Sequence, residues 1–150
     1  MGTGISVAAL ALEGNRVFIA RRLEGGDLGG KWEFPGGKVE EGESEEEALV
    51  REFDEEFSVP VKVGHFVGSG SFEHRSITCT LKGYRIELLS KNFRLREHSE
   101  WRWAALEEIE SLDFAPSDHT LLPFLKAEIE GRGGILPAKC YRPLSPKTVS

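Results

Sequence analysis

The sequence predicts an α/β domain in which a mixed β-sheet lies between helices. Short apolar segments bounded by turn residues alternate with two long segments of helical periodicity, and no internal repeat is visible. A chain of 150 residues with 39% hydrophobic residues is long enough for one domain with a buried core. We therefore expect a single domain over residues 1–130 and a Gly-, Pro- and Lys-rich tail over residues 131–150.

The predicted strands are apolar segments that end at glycine, proline or polar turn residues. The first two are joined by the turn at Gly14 and Asn15, and the glycine-rich stretch over residues 23–31 predicts a mobile surface loop. The expected strands cover residues 5–12, 17–20, 32–34, 61–67, 76–89 and 100–103.

The clearest predicted helix covers residues 44–57. Ser44 is its expected N-cap, and Glu47, three residues further on, is the matching capping-box residue. At about 100° of rotation per residue the helix has two distinct faces. The apolar face, expected to meet the core, carries Leu49, Val50, Phe53 and Phe57.

Two further helices are expected towards the end of the domain. Residues 106–111 predict a short helix, and apolar residues at helical spacing from Leu121 to Ile129 predict a longer helix that begins near Ser117. Pro123 falls in the first turns of that helix, where proline is tolerated best because its missing N–H leaves no bond unmade.

Charge and cysteine content exclude several classes of protein. A net charge of −6 leaves no overall basic surface for a nucleic-acid backbone, so no polymeric nucleic acid is expected as a partner. Small anionic substrates remain compatible, since carboxylates around divalent cations can receive phosphate. Cys79 and Cys140 are far apart and are expected to be reduced thiols. The N-terminal apolar run has no basic flank, so no signal peptide or membrane span is expected, and the cytoplasm is the expected location.

The second face of helix 44–57 is acidic. Glu52, Glu55 and Glu56 are neighbours at i, i+3 and i+4, so their like charges repel. Hard divalent cations are a natural counter-charge, because they prefer carboxylate oxygens and bridge to phosphates. Ala48 is expected on the same face, where its small side chain would leave room for metal and phosphate. Taken alone, a glutamate-rich helix face is more often simply solvated.

The wider spacing favours the metal-binding reading. The segment GGKVEEGESEEEALVREFDEEFSV, residues 36–59, resembles the Nudix motif: glycine, five residues, Glu, seven residues, then Arg-Glu-apolar-x-Glu-Glu-x-Gly-apolar. The matching residues are Gly37, Glu43, Arg51, Glu52, Phe53, Glu55, Glu56 and Val59. Ser58 is the one departure, because the family usually has a glycine that ends the helix in a left-handed conformation. We expect strain of up to about 1 kcal/mol there, or a different turn geometry.

The resemblance implies a Nudix fold and a metal-dependent pyrophosphohydrolase. Glu52, Glu55 and Glu56 would ligate Mg²⁺, for which Mn²⁺ could substitute, and the backbone carbonyl of Gly36 would assist them. Water would attack a phosphorus of the substrate, with the metal activating that water and neutralising charge on the phosphate oxygens.

Three other positions take roles from the same resemblance. Glu43 and Arg51 would form an ion pair that fixes the loop to the helix, so that carbonyl and carboxylates keep one relation to the cations. Glu100 matches a further acidic residue that some members use as a ligand or base. The general base therefore stays open between Glu52 and Glu100.

Residues 31–43, KWEFPGGKVEEGE, look like the MutT-type branch, which cleaves nucleoside triphosphates to monophosphate and pyrophosphate; the resemblance covers roughly residues 5–128. Lys38 would lie near the phosphates. For Phe34 and Phe72 core packing is the competing reading, and for Asp118 it is an N-cap role. The positions that match the base-binding residues of this branch are Arg22, Phe34, Phe72, Arg75 and Asp118.

Hydrogen-bond chemistry at Asp118 favours one base. An ionised carboxylate only accepts hydrogen bonds. The guanine edge offers two adjacent donors, whereas cytosine pairs one donor with one acceptor, so an 8-oxo-dGTP-type substrate and a nucleotide pool house-cleaning role are expected. CTP or dCTP stays open, because (d)CTP-directed relatives carry a similar Pro-x-Asp segment.

Two other hypotheses are weaker. A pyrophosphatase for ADP-ribose or nucleotide sugars would usually carry extra elements for which 150 residues leave little room. A catalytically silent nucleotide-binding module would be expected to have lost a motif carboxylate, and none is lost. The expected partner is a small nucleotide, without a membrane, and the expected state is a monomer or weak dimer.

Overall fold

The computed structural model describes residues 4–131, so the predicted tail lies outside the described residues except for Gly131. The strands are β1 Ile5–Glu13, β2 Arg16–Arg22, β3 Trp32–Glu33, β4 Gly36–Lys38, β5 Val61–His74, β6 Ile77–Leu88 and β7 His98–Ala105. The helices are α1 Glu45–Phe57, α2 Leu106–Ser111, α3 Pro116–His119 and α4 Leu122–Gly131.

The strands form one mixed sheet in the order β3-β2-β1-β6-β5, with β4 paired to β1 and β7 paired to β2. The pairing of β1 with β6 is parallel over residues 5–11, and the other pairs are antiparallel. Strand β1 therefore lies at the centre of the sheet and contacts β2, β4 and β6.

Helices cover both faces of this sheet. On one face Leu49, Phe53 and Phe57 of α1 pack on Phe18 and its neighbours. On the opposite face the apolar residues of β1 and β2 pack on Ile109, Leu121 and Leu125, all fully buried. The α/β/α arrangement predicted from the sequence is confirmed.

Helix α1 begins as predicted, but two of its side chains face differently from the prediction. The Ser44 hydroxyl accepts from Glu47 N at 3.0 Å, and the Glu47 carboxylate accepts from Ser44 N at 2.9 Å. Val50 is 42% exposed, whereas Ala48 is fully buried. The buried arc is centred on Leu49 and Glu56, and at about 100° per residue Val50 falls outside it. On the acidic face, Glu56 therefore points inward. Ala48 is itself buried, so it does not provide the open space for metal and phosphate that was expected there.

The β5–β6 hairpin is longer than its sequence suggests. Strand β5 continues through residues 68–74, where glycine and serine weaken strand propensity, because this segment pairs with β6. A side chain at Gly68 would clash with Phe124, and one at Gly70 with Thr120. The absence of those side chains lets the end of the hairpin pack closely on α3 and α4.

Two further elements differ from the prediction. Residues 35–37 were expected only to end the strand 32–34, but Gly36 and Gly37 form β4 with Lys38 against β1. The expected long helix from Ser117 is divided into α3 and α4. Pro123 has no N–H for the carbonyl of His119, so one continuous helix would lose that bond, and proline instead occupies the second position of α4.

Two of the expected absences can be compared with the described residues. Cys79 is a free thiol, and Cys140 lies outside the described part of the chain. Among residues 4–131, no helix combines the length and apolar character that crossing a membrane requires.

Candidate metal and nucleotide site

Strand β4 brings two glycines against the acidic face of α1. The Gly36 N–H donates to Glu56 Oε1 at 3.4 Å. Gly36 has a φ of 150°, and a side chain there would clash with the backbone of Val7. A side chain at Gly37 would clash with the Glu52 carboxylate. Gly36 is therefore required by its conformation and its close approach to the Val7 backbone, whereas Gly37 leaves room for the Glu52 carboxylate.

Arg51 fixes the preceding loop to α1. Its Nε and Nη2 donate to the two carboxylate oxygens of Glu43 at 2.6 and 2.9 Å, and Nη2 also donates to the Lys38 carbonyl at 3.0 Å. The hydrogen bond from Arg51 lowers the pKa of Glu43 to about 2, and the same pair raises the pKa of Arg51. The Arg51–Glu43 ion pair that the motif implied is thus formed, and it has the bidentate geometry that a guanidinium group provides.

The three motif carboxylates differ in exposure. The side chain of Glu52 is 16% exposed, that of Glu55 is 52% exposed, and Glu56 is buried. Burial raises the pKa of both Glu52 and Glu56, and the charges of Glu33 and Glu52 raise the pKa of Glu56 further. Buried adjacent carboxylates destabilise each other unless a cation offsets their charge.

The donor set suits a hard divalent cation, because every candidate side-chain ligand is a carboxylate. Arg51 Nη1 lies 3.0 Å from Glu52 and 3.3 Å from Glu55, so the guanidinium partly neutralises the cluster. Within residues 4–131, no three acidic, histidine or cysteine side chains already converge on one point as metal ligands do. Binding a metal would therefore require Glu52 and Glu55 to exchange contacts with Arg51 for contacts with the cation.

Glu100 is the further acidic residue that was expected as a ligand or base, and its carboxylate is paired with an arginine. It lies directly opposite Arg21 on β2, and the two side chains form an ion pair at 3.2 Å. Glu97 is better placed, since its charge acts on Glu56 and the backbone of Arg96 donates to the Glu56 carbonyl at 3.3 Å. Glu97 is therefore a further candidate for a fourth acidic group of the cluster.

Asp118 and Phe34 meet on the other side of the sheet. Asp118 Oδ2 accepts from the Phe34 N–H at 2.8 Å, and Oδ1 accepts from the Ser117 hydroxyl at 3.2 Å. Burial, followed by the charge of Glu33, raises the pKa of Asp118 to about 7. Asp118 lies within α3 instead of capping it, because Ala115 is the N-cap. Near neutral pH this carboxyl group can therefore be either an acceptor pair or a donor–acceptor pair.

The other predicted nucleotide contacts are distributed unevenly. The Phe34 ring is buried against Phe114 at a centroid distance of 5.1 Å, so only its backbone is available for contacts. Phe72 is partly buried at the edge of the same apolar cluster. Arg22 is near enough to lower the pKa of Asp118. Arg75 is at the tip of the β5–β6 hairpin, with a φ of 54°, and Lys38 is exposed at the end of β4.

Comparison with known proteins shows the family to which this chain belongs. The NUDIX domain model matches residues 2–125. The chain belongs to the Nudix hydrolase family. It is 34% identical over 139 residues to a putative 8-oxo-dGTP diphosphatase 2 of Mycobacterium tuberculosis, covering 91% of this chain and 97% of that one.

Two further relatives of this Nudix hydrolase come from Escherichia coli. A CTP pyrophosphohydrolase is 34% identical over 116 residues, covering 77% of this chain and 86% of that protein. The solution structure of the ORF135 protein superposes with a TM-score of 0.72 at 32% identity, covering 85% of this chain and 89% of that one.

Two buried polar residues of this Nudix domain, Glu33 and His98, were not among the site residues expected from the sequence. Glu33 is 8% exposed and His98 is 3% exposed, and His98 Nε2 lies 2.8 Å from Glu33 Oε2. The His98 ring stacks on Phe57 at 5.1 Å. The detectable signal was a glutamate in the middle of the apolar Trp-Glu-Phe segment, since a buried strand rarely carries an isolated carboxylate without a partner.

Proposed function

We propose that this Nudix hydrolase is a Mg²⁺-dependent pyrophosphohydrolase that converts nucleoside triphosphates of the 8-oxo-dGTP type to monophosphate and pyrophosphate. The observation that carries this proposal is the double anchoring of one short segment. The Phe34 N–H binds Asp118, and two residues later the Gly36 N–H binds Glu56. A carboxyl group suited to reading a base and the carboxylates suited to phosphate chemistry are therefore held by the same stretch of chain.

On the phosphate side, Glu52, Glu55, Glu56 and the Gly36 carbonyl would hold Mg²⁺ or Mn²⁺. When bound there, the cation would supply an activated water and would offset charge on the phosphate oxygens. Lys38 is exposed at the loop that Arg51 fixes, and its ammonium group would contact the phosphates of the substrate. Arg51 and Glu43 position the carboxylates without touching substrate.

The proposed reaction needs only water as a second reactant. The water oxygen forms a bond to phosphorus while the bond from that phosphorus to the bridging oxygen breaks, which separates monophosphate from pyrophosphate. An ionised Glu52 or Glu97 carboxylate accepts the proton lost by the attacking water. Glu97 replaces Glu100 in this role because Glu100 is paired with Arg21.

On the base side, ionised Asp118 offers only acceptors and suits the two adjacent donors of a guanine-type base, including 8-oxoguanine. This reading agrees with the Mycobacterium tuberculosis relative, which is described as a putative 8-oxo-dGTP diphosphatase. The role would be removal of oxidised nucleotides from the pool. The substrate would be a small nucleotide and not a polymer.

CTP or dCTP is the second candidate. The raised pKa of Asp118 leaves part of the carboxyl group protonated near pH 7, and a protonated carboxyl group matches the donor–acceptor edge of cytosine. A relative described as a CTP pyrophosphohydrolase has the same 34% identity.

A panel of nucleotides assayed for pyrophosphate release with Mg²⁺ tests the proposal. It should contain 8-oxo-dGTP, dGTP, dCTP, CTP, ADP-ribose and a nucleotide sugar. We expect 8-oxo-dGTP to have the highest kcat/KM. Preference for dCTP or CTP with slow turnover of 8-oxo-dGTP would replace the first candidate by the second, and preference for ADP-ribose or a nucleotide sugar would reject both. Nucleotide binding without hydrolysis would instead indicate a silent module.

A further inference from the structure

Glu33 is a buried carboxylate that the proposed chemistry does not use. Its side chain lies on the α1 face of β3, whereas the neighbouring Trp32 and Phe34 pack into the apolar cluster on the opposite face. With only 11% of the side chain exposed, an ionised Glu33 requires compensating donors. Two donors are present, both directed at one oxygen.

The two carboxylate oxygens of Glu33 have different surroundings. Oε2 lies 2.8 Å from His98 Nε2 and 3.5 Å from Arg22 Nη1. No described residue donates a hydrogen bond to Oε1. Among the described side chains, the buried polar atoms without a partner are Ser58 Oγ and His98 Nδ1, so Oε1 is accessible to solvent. Glu33 is therefore fixed through one oxygen and presents the other as an open acceptor.

His98 makes this arrangement rigid. Its side chain is fully buried and stacked on Phe57, and its Nδ1 has no hydrogen-bond partner among residues 4–131. A carboxylate bonded to Nε2 requires the proton to be on that nitrogen. The imidazole thus acts as a fixed donor that orients Glu33.

The carboxylate of Glu33 is close to both ends of the proposed nucleotide site. Its charge raises the pKa of Asp118 on the base side and the pKa of Glu56 on the metal side. The adjoining backbone binds Asp118 through Phe34 and Glu56 through Gly36. A nucleotide that spans from base to phosphates would place its sugar between these two ends.

An ionised carboxylate can accept a hydrogen bond but cannot donate one, and it repels phosphate. In the part of a nucleotide between base and phosphates, the hydrogen-bond donors are the sugar hydroxyls. We propose that Glu33 Oε1 accepts a hydrogen bond from the 3′-hydroxyl of the substrate sugar and thereby makes the enzyme selective for nucleotides that carry this hydroxyl. This inference rests on the proposed function, since it assumes a nucleoside triphosphate in the site.

The test compares two substrates with the same base, a 2′-deoxynucleoside triphosphate and its 3′-fluoro-2′,3′-dideoxy analogue. Fluorine is similar in size to a hydroxyl but cannot donate. For the wild-type chain, kcat/KM should be about ten- to a hundredfold higher for the 3′-hydroxyl substrate, the range expected for a hydrogen bond to a charged acceptor.

Glu33→Gln tests the role of the side chain itself. The amide oxygen would take the position facing the two donors, His98 and Arg22, and the NH₂ group would turn towards the sugar. The preference for the 3′-hydroxyl should then fall to within about threefold. If Glu33 only positioned Arg22 and His98, both substrates would slow equally and the ratio would stay as in the wild type. Glu110→Gln, at an exposed position of α2, is the matched control and should keep the wild-type ratio.

The outcomes separate the two proposals. If the wild-type chain releases no pyrophosphate from any natural nucleoside triphosphate, the proposed function fails. If it hydrolyses the natural substrate but treats the fluoro analogue equally well, the inference about Glu33 fails and the proposed function stands. Should Glu33→Gln not fold, Glu33→Asp keeps the charge and withdraws the oxygens, and an unchanged ratio in that variant would overturn the inference.

Discussion

The Asp118 carboxylate accepts a hydrogen bond from the Phe34 backbone N–H at 2.8 Å, across 84 positions of the sequence. This bond ties α3 to the strand segment that continues into Gly36 and the acidic face of α1. The bond is buried and fixes the carboxyl group, whose other oxygen accepts from the Ser117 hydroxyl, and burial makes the interactions of the group depend on its protonation state.

Base preference should depend on pH through Asp118. Its pKa is raised to about 7, so the ionised form dominates above that pH and the protonated form below it. The ratio of kcat/KM for 8-oxo-dGTP to that for dCTP should therefore increase as the pH rises from 6 to 8. Steady-state kinetics with both nucleotides measure this ratio.

Asp118→Asn is the control for base preference. An amide keeps one acceptor and one donor at every pH, so the ratio in this variant should be flat over the same interval. A wild-type ratio that is equally flat would show that Asp118 does not read the base.

Asp118 should also affect the pH dependence of folding. A carboxyl group whose pKa rises from 3.8 to about 7 on folding favours the folded state in its protonated form. The contribution of Asp118 to the free energy of unfolding is fully present below about pH 4 and is lost as the pH rises through about 7. Between pH 5 and 8 the free energy of unfolding should therefore fall less steeply in Asp118→Asn than in the wild type. Urea titrations at several pH values measure this, and parallel slopes would argue against the raised pKa.

Ser58 should be a site where glycine stabilises the chain. The residue ends α1 in the left-handed conformation, with φ 58° and ψ 38°, and its hydroxyl is buried without a hydrogen-bond partner among the described residues. Ser58→Gly should raise the free energy of unfolding by about 1 kcal/mol. Ser58→Ala removes only the hydroxyl, so the difference between the two variants isolates the backbone contribution. A glycine variant no more stable than the alanine variant would refute left-handed strain.

Arg51→Lys should impair the site while leaving the fold intact. Lysine keeps the charge but cannot bind both oxygens of Glu43 and the Lys38 carbonyl from one rigid group. We expect Mn²⁺ affinity or turnover to decrease about ten- to a hundredfold, as for other residues that orient metal ligands. Mn²⁺ titration and steady-state kinetics, with circular dichroism as a check on folding, provide the measurement. Wild-type values for both would show that Arg51 does not position the carboxylates.

Elements and contacts were predicted correctly from the sequence where the local conformational propensity agrees with the tertiary packing. The Ser44–Glu47 capping box and the Arg51–Glu43 pair follow from spacing along a helix and its loop. Strand β5 was predicted too short because its glycines and serines have low strand propensity, yet these small residues are what α3 and α4 require at Gly68 and Gly70. Tertiary packing overrides propensity there.

Buried polar residues were harder to predict. Helical periodicity placed Glu56 on the acidic face with Glu52 and Glu55, but it did not show that Glu56 is buried and that its carboxylate accepts from the Gly36 N–H. Glu33 and His98 are 65 residues apart, and no local pattern connects them. Glu97 was not considered from the sequence, and the pairing of Glu100 with Arg21 follows from the register between β2 and β7, which no local pattern gives.

Hydrolysis by Glu55→Gln across a Mg²⁺ titration tests the central claim most directly. Glu55 is half exposed, so the substitution should leave the fold unchanged, and Asp54→Asn on the exposed side of α1 is the matched control. We predict that Glu55→Gln lowers Mg²⁺-dependent pyrophosphate release by at least about a hundredfold, whereas Asp54→Asn retains wild-type rates. Undiminished Mg²⁺-dependent hydrolysis by Glu55→Gln would contradict the assignment of this helix face as the metal site.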